Sequence, residues 1–486
     1  MNTALGGASS ERKQDSLPLI VDLDGTLLRS DLLHETFWSA FAHDILIPFK
    51  SFTEIGSGRA ALKQLLAGTS KVDLASLPYD PEIVAYINAW RQQGGRAVLV
   101  TGSDHRLAEG IAAHLGIFDE VHGTNGDTNL KDKAKAEFLV SRYGENGFQY
   151  IGDAKADLPV WEKASKAITV NAKSSLRRQA EALGKPIEHL RTTEASWKSY
   201  VQVLRPHQWL KNLLVFLPML AGHRLDAETF GLSLMAFIAF SLVASSTYLF
   251  NDLLDLRSDR AHPRKSRRPI ASGLLPIARA GVMAVATAVA GAALSLLIGW
   301  TFFLVVVGYY GLTVTYSLLL KRQLIIDICL LAGLYTLRII AGSLATGIDL
   351  TVWLLAFSLF LFFSLAAVKR QAELVDMNRR GELNAAGRGY QVGDLPIVSN
   401  IAISAGFLSV LVLALYINSP GVAELYSQPA LLWGICCVLL YWLTRMVMIA
   451  HRGSMHDDPV VFAAKDRVSQ VCITISGGII IAASAL

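Results

Sequence analysis

Cysteine is scarce in this chain, four in 486 residues, and all four (Cys329, Cys436, Cys437 and Cys472) fall inside apolar stretches. That excludes a disulfide framework and leaves no metal-ligand spacing, so each is expected to be a small buried apolar side chain. Nor does a basic stretch followed by an apolar one open the chain. No signal peptide is therefore expected, and the first half is expected to stay in the cytoplasm. There is no repeat of fixed period, and no low-complexity tract beyond a polar tail over residues 1–16, so a repeat array is not expected. Charged residues make up only 17% of the chain against 52% hydrophobic, and they are unevenly placed. Residues 17–195 read as a mixed α/β domain. From about residue 205, long apolar runs alternate with short polar loops, which places residues 196–486 in a membrane.

Nine runs have the length of a membrane helix: 208–223, 228–250, 277–298, 299–319, 323–345, 350–368, 396–417, 429–450 and 469–486,. The first is short and interrupted by Pro218. Loops after the second, fourth, sixth and eighth runs hold sixteen Lys and Arg residues, whereas the opposite loops hold only Arg224. Such a bias orients the basic loops toward the cytoplasm, on the side of the N-terminal domain. No nucleic acid partner is expected, and oligomeric state is not encoded in any pattern found.

Three short apolar strands in the first half each end in polar residues suited to phosphate chemistry. Leu19-Ile20-Val21 runs into Asp22-Leu23-Asp24-Gly25-Thr26. Two carboxylates two residues apart fit a nucleophile and a general acid/base. Ala97–Val100 ends at Thr101, whose hydroxyl suits a phosphoryl oxygen. Tyr150-Ile151 ends in Gly152-Asp153-Ala154-Lys155-Ala156-Asp157, where carboxylates could complete a Mg²⁺ site with Asp22. Lys131 or Lys135 could neutralise the phosphate. Residues 32–90 look helical and amphipathic, as expected of a cap.

This ordered set resembles the haloacid-dehalogenase superfamily of phosphohydrolases. The resemblance implies a Rossmann-like α/β domain with a helical cap. It makes Asp22 the nucleophile that forms an aspartyl-phosphate and Asp24 the acid/base. Asp22, Asp153 and Asp24, the last through its backbone, would hold Mg²⁺.

In the second half the run Asn251-Asp252-x-x-Asp255-x-x-x-Asp259 closes an apolar segment. Carboxylates at i, i+3 and i+7 on one helical face repel one another unless a cation holds them. A hard divalent ion suits them and usually brings a diphosphate. Asp327 and Arg338 lie on one face of a later span, and ionisable groups inside a membrane are functional candidates.

These features resemble the UbiA superfamily of intramembrane prenyltransferases, whose all-α fold has nine transmembrane helices. Aromatic prenyltransferases of that superfamily carry a second acidic motif where this chain has Lys369-Arg370-Gln371. The run Tyr316-x-x-x-Leu320-Lys321-x-x-x-x-x-Asp327, the segment Arg205–Asn212 with Lys211 and Asn212, and Arg268-Pro269-Ile270 resemble instead the phosphoribosyltransferase branch. That branch implies phosphoribosyl pyrophosphate as donor and a polyprenyl phosphate as acceptor. It implies Mg²⁺ on Asp252, Asp255 and Asp259. Asn251, Lys211, Asn212, Arg268, Tyr316, Lys321, Asp327, Arg338, Lys369 and Arg370 would contact substrates. The expected activity is phosphoribosyl transfer at a bacterial cytoplasmic membrane, with the fused phosphatase removing the 5-phosphate. The competing expectations are an aromatic prenyltransferase with an unrelated hydrolase, and a non-catalytic membrane scaffold.

Overall fold

The computed structural model describes residues 17–57, 59–125, 130–193, 195–381, 389–455 and 458–485. The polar tail expected over residues 1–16 lies outside them. The chain divides into two compact units, Met1–Val203 with Leu249–Met283, and Leu204–Tyr248 with Ala284–Leu486.

In the first unit six parallel strands form one sheet in the order β3-β2-β1-β4-β5-β6. They are β1 (Leu19–Val21), β2 (Ala97–Asp104), β3 (Glu120–Thr124), β4 (Gln149–Gly152), β5 (Lys166–Val170) and β6 (Ile187–Leu190). Parallel pairing requires a crossover between strands, and helices supply most of them. Alternation along the strands separates two cores. Leu19, Val21, Leu99 and Ile151 pack on one face, and Ile20, Val98, Val100 and Tyr150 on the other. Strand order reverses at β1, which pairs with β2 on one side and β4 on the other. The crevice beyond the carboxyl ends of such strands is where an open α/β sheet binds ligands. β5 and β6 extend the sheet to residue 190, so the connection to the next helix, Trp197–Leu204, is short.

Three helices follow β1: α1 (Leu32–Phe41), α2 (Ile47–Ser57) and α3 (Arg59–Thr69). They pack around a small cluster of Ala40, Ile47 and Leu66. The expected cap over 32–90 is shorter than that. The helix Pro81–Gln92 buries Ile83 and Ile87 in the sheet core and is therefore part of the β1–β2 crossover.

Among the described residues eight helices are long and apolar enough to cross a membrane: Ala227–Leu254, Ile277–Ile298, Trp300–Leu318, Ile326–Thr346, Val352–Arg379, Val392–Ile417, Pro429–His451 and Arg467–Ser484. The ninth expected span, 208–223, is instead a 3-10 stretch, Pro206–Phe216, followed by the short helix Leu217–Ala221. Pro206 and Pro218 each lack the amide proton that an α-helix interior needs. The stretch approaches the helix Ile326–Thr346 so closely that a Cβ on Gly342 would strike the Val215 backbone. Of the cysteines, Cys436 and Cys472 are buried as expected; Cys329 and Cys437 are exposed, on the outward faces of their helices.

Candidate functional site

The phosphate-chemistry residues of the first half converge at the carboxyl ends of β1, β2 and β4. Asp22 follows β1, and its Oδ1 lies 2.8 Å from Lys135 Nζ. Lys135 projects from the helix Asp132–Tyr143 and is buried, whereas Lys131 is exposed ahead of that helix. Lys135 also donates to the Tyr150 hydroxyl at 2.9 Å, which in turn lies 2.8 Å from Asp157 Oδ1. Burial by itself would lower the Lys135 ammonium, but Asp22 and Asp157 hold its pKa above the ordinary value.

Asp24 accepts from the Leu32 amide at 2.7 Å and from the Ser103 hydroxyl at 2.6 Å. Thr101 Oγ1 is 3.4 Å from Asp24 Oδ2, the oxygen that Ser103 bonds. Burial, reinforced by Asp31, pushes the Asp24 carboxyl up to about 7. A carboxyl of that kind carries its proton near neutrality, as a general acid must. Ser103, which orients Asp24, had no assigned role in the sequence reading.

Among the described residues, Asp22, Asp153 and Asp157 bring three carboxylates within 4.8 Å of one another. Burial, then the mutual repulsion of these acids, raises Asp153 well above the usual carboxylate range and Asp157 to about 6. A divalent cation relieves that crowding, so the donor set fits Mg²⁺. Asp157 is partly committed elsewhere, because its Oδ2 accepts the amides of Asp153 and Ala154 at 3.1 and 3.0 Å. It thereby holds the turn that aims Asp153. Gly25 (φ +78°) completes the cradle, since a Cβ there would strike the Asp153 carboxylate.

The aspartate run of the second half is not one continuous helix. Ala227–Leu254 ends before Asp255, and Leu256–Ala261 begins after it. Asp252 and Asp259 are buried, and Arg268 Nη1 bridges them at 3.0 and 2.5 Å. Arg268 thus supplies the positive charge on which these two carboxylates converge. Arg260, one residue on, directs its guanidinium to Glu35 of α1 at 2.7 and 3.0 Å and to the Ala271 carbonyl at 3.0 Å.

In the second unit the predicted residues fall into two groups. Lys211 and Lys369 both reach Asp458 Oδ2, at 2.8 and 3.0 Å, and Tyr335 donates to Asp458 Oδ1 at 2.9 Å. Arg338 donates to Asn212 Oδ1 and to the Tyr309 hydroxyl, both at 2.8 Å, and its guanidinium lies over the Tyr335 ring. These groups form a cation-rich cluster in which Lys211 and Arg338 are buried and Lys369 half-buried. Asp458 is absent from the sequence reading; its only local signal is its place before Pro459 at a helix start.

Arg370 and Asp327 form the other group. Their side chains pair at 2.5 Å, 1% and 0% exposed. Arg370 also contacts Glu373, and Tyr390 donates to Asp327 at 2.6 Å. Asp327 therefore faces Arg370 and Tyr390, and Arg338 faces Asn212 and Tyr309. Asp327 and Arg338 share a helix but stand about 16 Å apart along it, and each takes its partners from neighbouring segments. Tyr316 lies within the field of Arg370 and Lys369. Asn251 and Lys321 are both partly exposed.

Comparison with known proteins matches two families to separate stretches of the chain. The model of the UbiA prenyltransferase family matches residues 213–465, and that of haloacid dehalogenase-like hydrolases matches residues 19–162. An uncharacterized protein, y4nM of Sinorhizobium fredii, is 36% identical over 93% of this chain and 88% of its own length. The nodulation protein NoeC of Azorhizobium caulinodans is 37% identical over 57% of this chain and 90% of its own. The decaprenyl-phosphate phosphoribosyltransferase of Mycolicibacterium smegmatis is 32% identical over 56% of this chain and 87% of its own.

Proposed function

We propose a function on one premise: the chain belongs to the UbiA prenyltransferase family, with a haloacid dehalogenase-like hydrolase domain ahead of it, and is an integral membrane protein. The reading is that it transfers phosphoribose from phosphoribosyl pyrophosphate to a polyprenyl phosphate. The fused domain then removes the 5-phosphate to leave polyprenyl-phosphoryl-ribose. The basic loops and the hydrolase domain lie on the cytoplasmic side of a bacterial inner membrane.

The observation that carries this reading is the cluster in which Lys211 and Lys369 share the single carboxylate Asp458, with Arg338 over the ring of Tyr335, which bonds that carboxylate. Excess positive charge in a dry setting calls for an anion. A prenyl diphosphate offers one anionic end. Phosphoribosyl pyrophosphate offers a diphosphate on C1 and a phosphate on C5. The acidic run Asp252, Asp255 and Asp259 suits a metal-bound diphosphate, and the lysines suit a bare phosphate. The name of the Mycolicibacterium relative supports the same donor.

Mg²⁺ would be held by Asp252, Asp255 and Asp259 in one site and by Asp22, Asp153 and the Asp24 carbonyl in the other, where it would neutralise charge on phosphoryl oxygens. In the transferase, loss of diphosphate from C1 develops oxocarbenium character, and an already ionised lipid phosphate oxygen attacks that carbon. Positioning and charge neutralisation dominate such a step. Arg268, shared by Asp252 and Asp259, places a further positive charge beside the proposed diphosphate site. In the hydrolase, Asp22 attacks phosphorus while Asp24 donates its proton to the leaving ribose oxygen. Water then attacks the aspartyl-phosphate, with Asp24 accepting a proton, and Lys135 steadies the phosphoryl charge.

The test is incubation of the purified full-length protein with Mg²⁺, labelled phosphoribosyl pyrophosphate and a polyprenyl phosphate. Label is expected in the lipid phase, with inorganic phosphate released as well as diphosphate. Transfer from a labelled prenyl diphosphate to an aromatic acceptor, with none from the sugar donor, would replace this reading.

A further inference from the structure

Between β1 and β6 the described residues keep their large apolar side chains inside, with one local exception. Ile45, Leu46, Phe49 and Phe52 are 49%, 53%, 74% and 80% exposed. These four side chains lie within eight residues, in and just before α2. Projected at 100° per residue they fall within an arc of roughly 120°. Ile47 and Ser51, on the other side of α2, are buried against the cap. The helix is therefore amphipathic with its second apolar face turned outward. An isolated exposed Leu is ordinary; a contiguous face with two phenylalanines marks something that covers it.

The neighbouring helix identifies the covering phase. Trp38 and Phe41 of α1 pack edge-on against Phe250, with ring centroids 5.8 and 6.0 Å apart. Phe250 lies in the closing turns of Ala227–Leu254, a helix of membrane-crossing length. At 1.5 Å per residue that helix is ~42 Å long, against a hydrocarbon core of ~30 Å, so its end stands at the lipid headgroups. Ile45 follows Phe41 by four residues, at most ~14 Å of chain. The apolar face thus begins at the depth where the membrane helix ends. The other large apolar side chains exposed in the described residues before Leu204 are Trp197 and Val201. They lie one turn apart on Trp197–Leu204, which leads into the membrane part, as an interfacial helix would.

We infer that α2, with Ile45 and Leu46, is an interfacial helix whose Ile45-Leu46-Phe49-Phe52 face lies in the headgroup–acyl boundary of the bilayer. Lys50 is exposed on the same helix and bonded to Asp44 at 2.6 Å, so its charge stays at the polar rim,. The docking has a consequence for the hydrolase. α1, tied to the membrane helix through Phe250, begins at Leu32, whose amide holds the Asp24 carboxylate. The acid/base is therefore anchored through one helix to the lipid surface, and its substrate class is a phosphomonoester carried on a membrane lipid. That last step rests on the proposed function, whereas the docking does not.

The experiment uses the full chain in phosphatidylcholine nanodiscs, its four cysteines replaced by serine, with a fluorescent bimane on Phe52→Cys. A second protein carries the label on Glu82→Cys, an exposed site on Pro81–Gln92. Doxyl groups on the lipid chains are expected to quench the residue 52 label at least twofold and leave the residue 82 label unchanged, with aqueous iodide giving the reverse. Iodide quenching at 52 equal to that at 82, without doxyl quenching, would overturn the docking. So would protection from both quenchers, which means that protein and not lipid covers the face. Independently, a Phe49→Ser/Phe52→Ser double variant is expected to hydrolyse p-nitrophenyl phosphate within twofold of wild type. Its turnover of the nanodisc-borne phosphoribosyl lipid is expected to fall at least tenfold. Should quenching hold while both rates stay at the wild-type level, the docking stands and the lipid-borne substrate class falls.

Discussion

Arg260→Met tests the tie between α1 and the aspartate-rich segment. The guanidinium and Glu35 are 7% and 3% exposed, and both Glu35 oxygens receive a hydrogen bond from it. The arginine also serves the Ala271 carbonyl, and Glu35 accepts from the Ser30 hydroxyl at 2.6 Å. Methionine matches much of the arginine stem but leaves a buried carboxylate with only Ser30 to answer it. Removing one partner of a buried pair costs about 3–5 kcal/mol, far more than the pair contributes net. For a unit of this size each kcal/mol shifts the melting temperature by about 2–4 °C, so a fall of about 6–20 °C is expected by scanning fluorimetry in detergent. The double variant Glu35→Met/Arg260→Met removes both charges together and is expected to recover most of the loss, to within ~1–2 kcal/mol of wild type, the Ser30 and Ala271 groups accounting for the rest. An unchanged melting temperature in the single variant would mean that the pair does not form. A double variant as unstable as the single one would mean that packing rather than charge compensation is at stake.

Asp22→Asn should stop the hydrolase while transfer continues, so that lipid extracts gain a product heavier by one phosphate in mass spectrometry; identical lipids from variant and wild type would separate the hydrolase from this pathway. Asp252→Ala should abolish lipid labelling yet leave the full-length protein's hydrolysis of p-nitrophenyl phosphate intact, and unchanged transfer would remove the proposed metal site. Lys369→Ala should weaken donor binding by ~1.5–3 kcal/mol, about one to two decades in titration calorimetry, because one charge-assisted contact is lost. Arg370→Ala should act differently, lowering folded yield before donor affinity, because its guanidinium already compensates buried Asp327; a selective loss of donor affinity in Arg370→Ala would refute that division.

Features written in contiguous residues were legible in the chain by itself. The run Leu19-Ile20-Val21 reads as a buried strand because each neighbour along it is apolar, and the acids that follow it stand at the strand's carboxyl end wherever the sheet goes. Membrane spans are equally local, since length and apolarity alone decide whether a helix can cross a bilayer. The exception, 208–223, failed for a local reason too: Pro206 stands just ahead of it, and Pro218 and a buried Lys211-Asn212 pair lie within it. Strand β3 escaped notice because Glu120 and His122 give it no apolar run. β6 escaped for a similar reason, with Glu188 and His189 in a strand that is only half-buried.

What the tertiary structure alone decided is partnership. Lys135 meets Asp22 across 113 residues, Lys369 meets Asp458 across 89, and Arg260 meets Glu35 across 225. No pattern within a window of sequence distinguishes Lys135 from Lys131, or Lys369, which meets Asp458, from Arg370, which meets Asp327. A buried charge takes whichever opposite charge the packing brings within hydrogen-bond reach, because leaving it unpaired in a low dielectric costs several kcal/mol. That choice is made between elements, after the helices and strands have packed, and so it is written only in the fold.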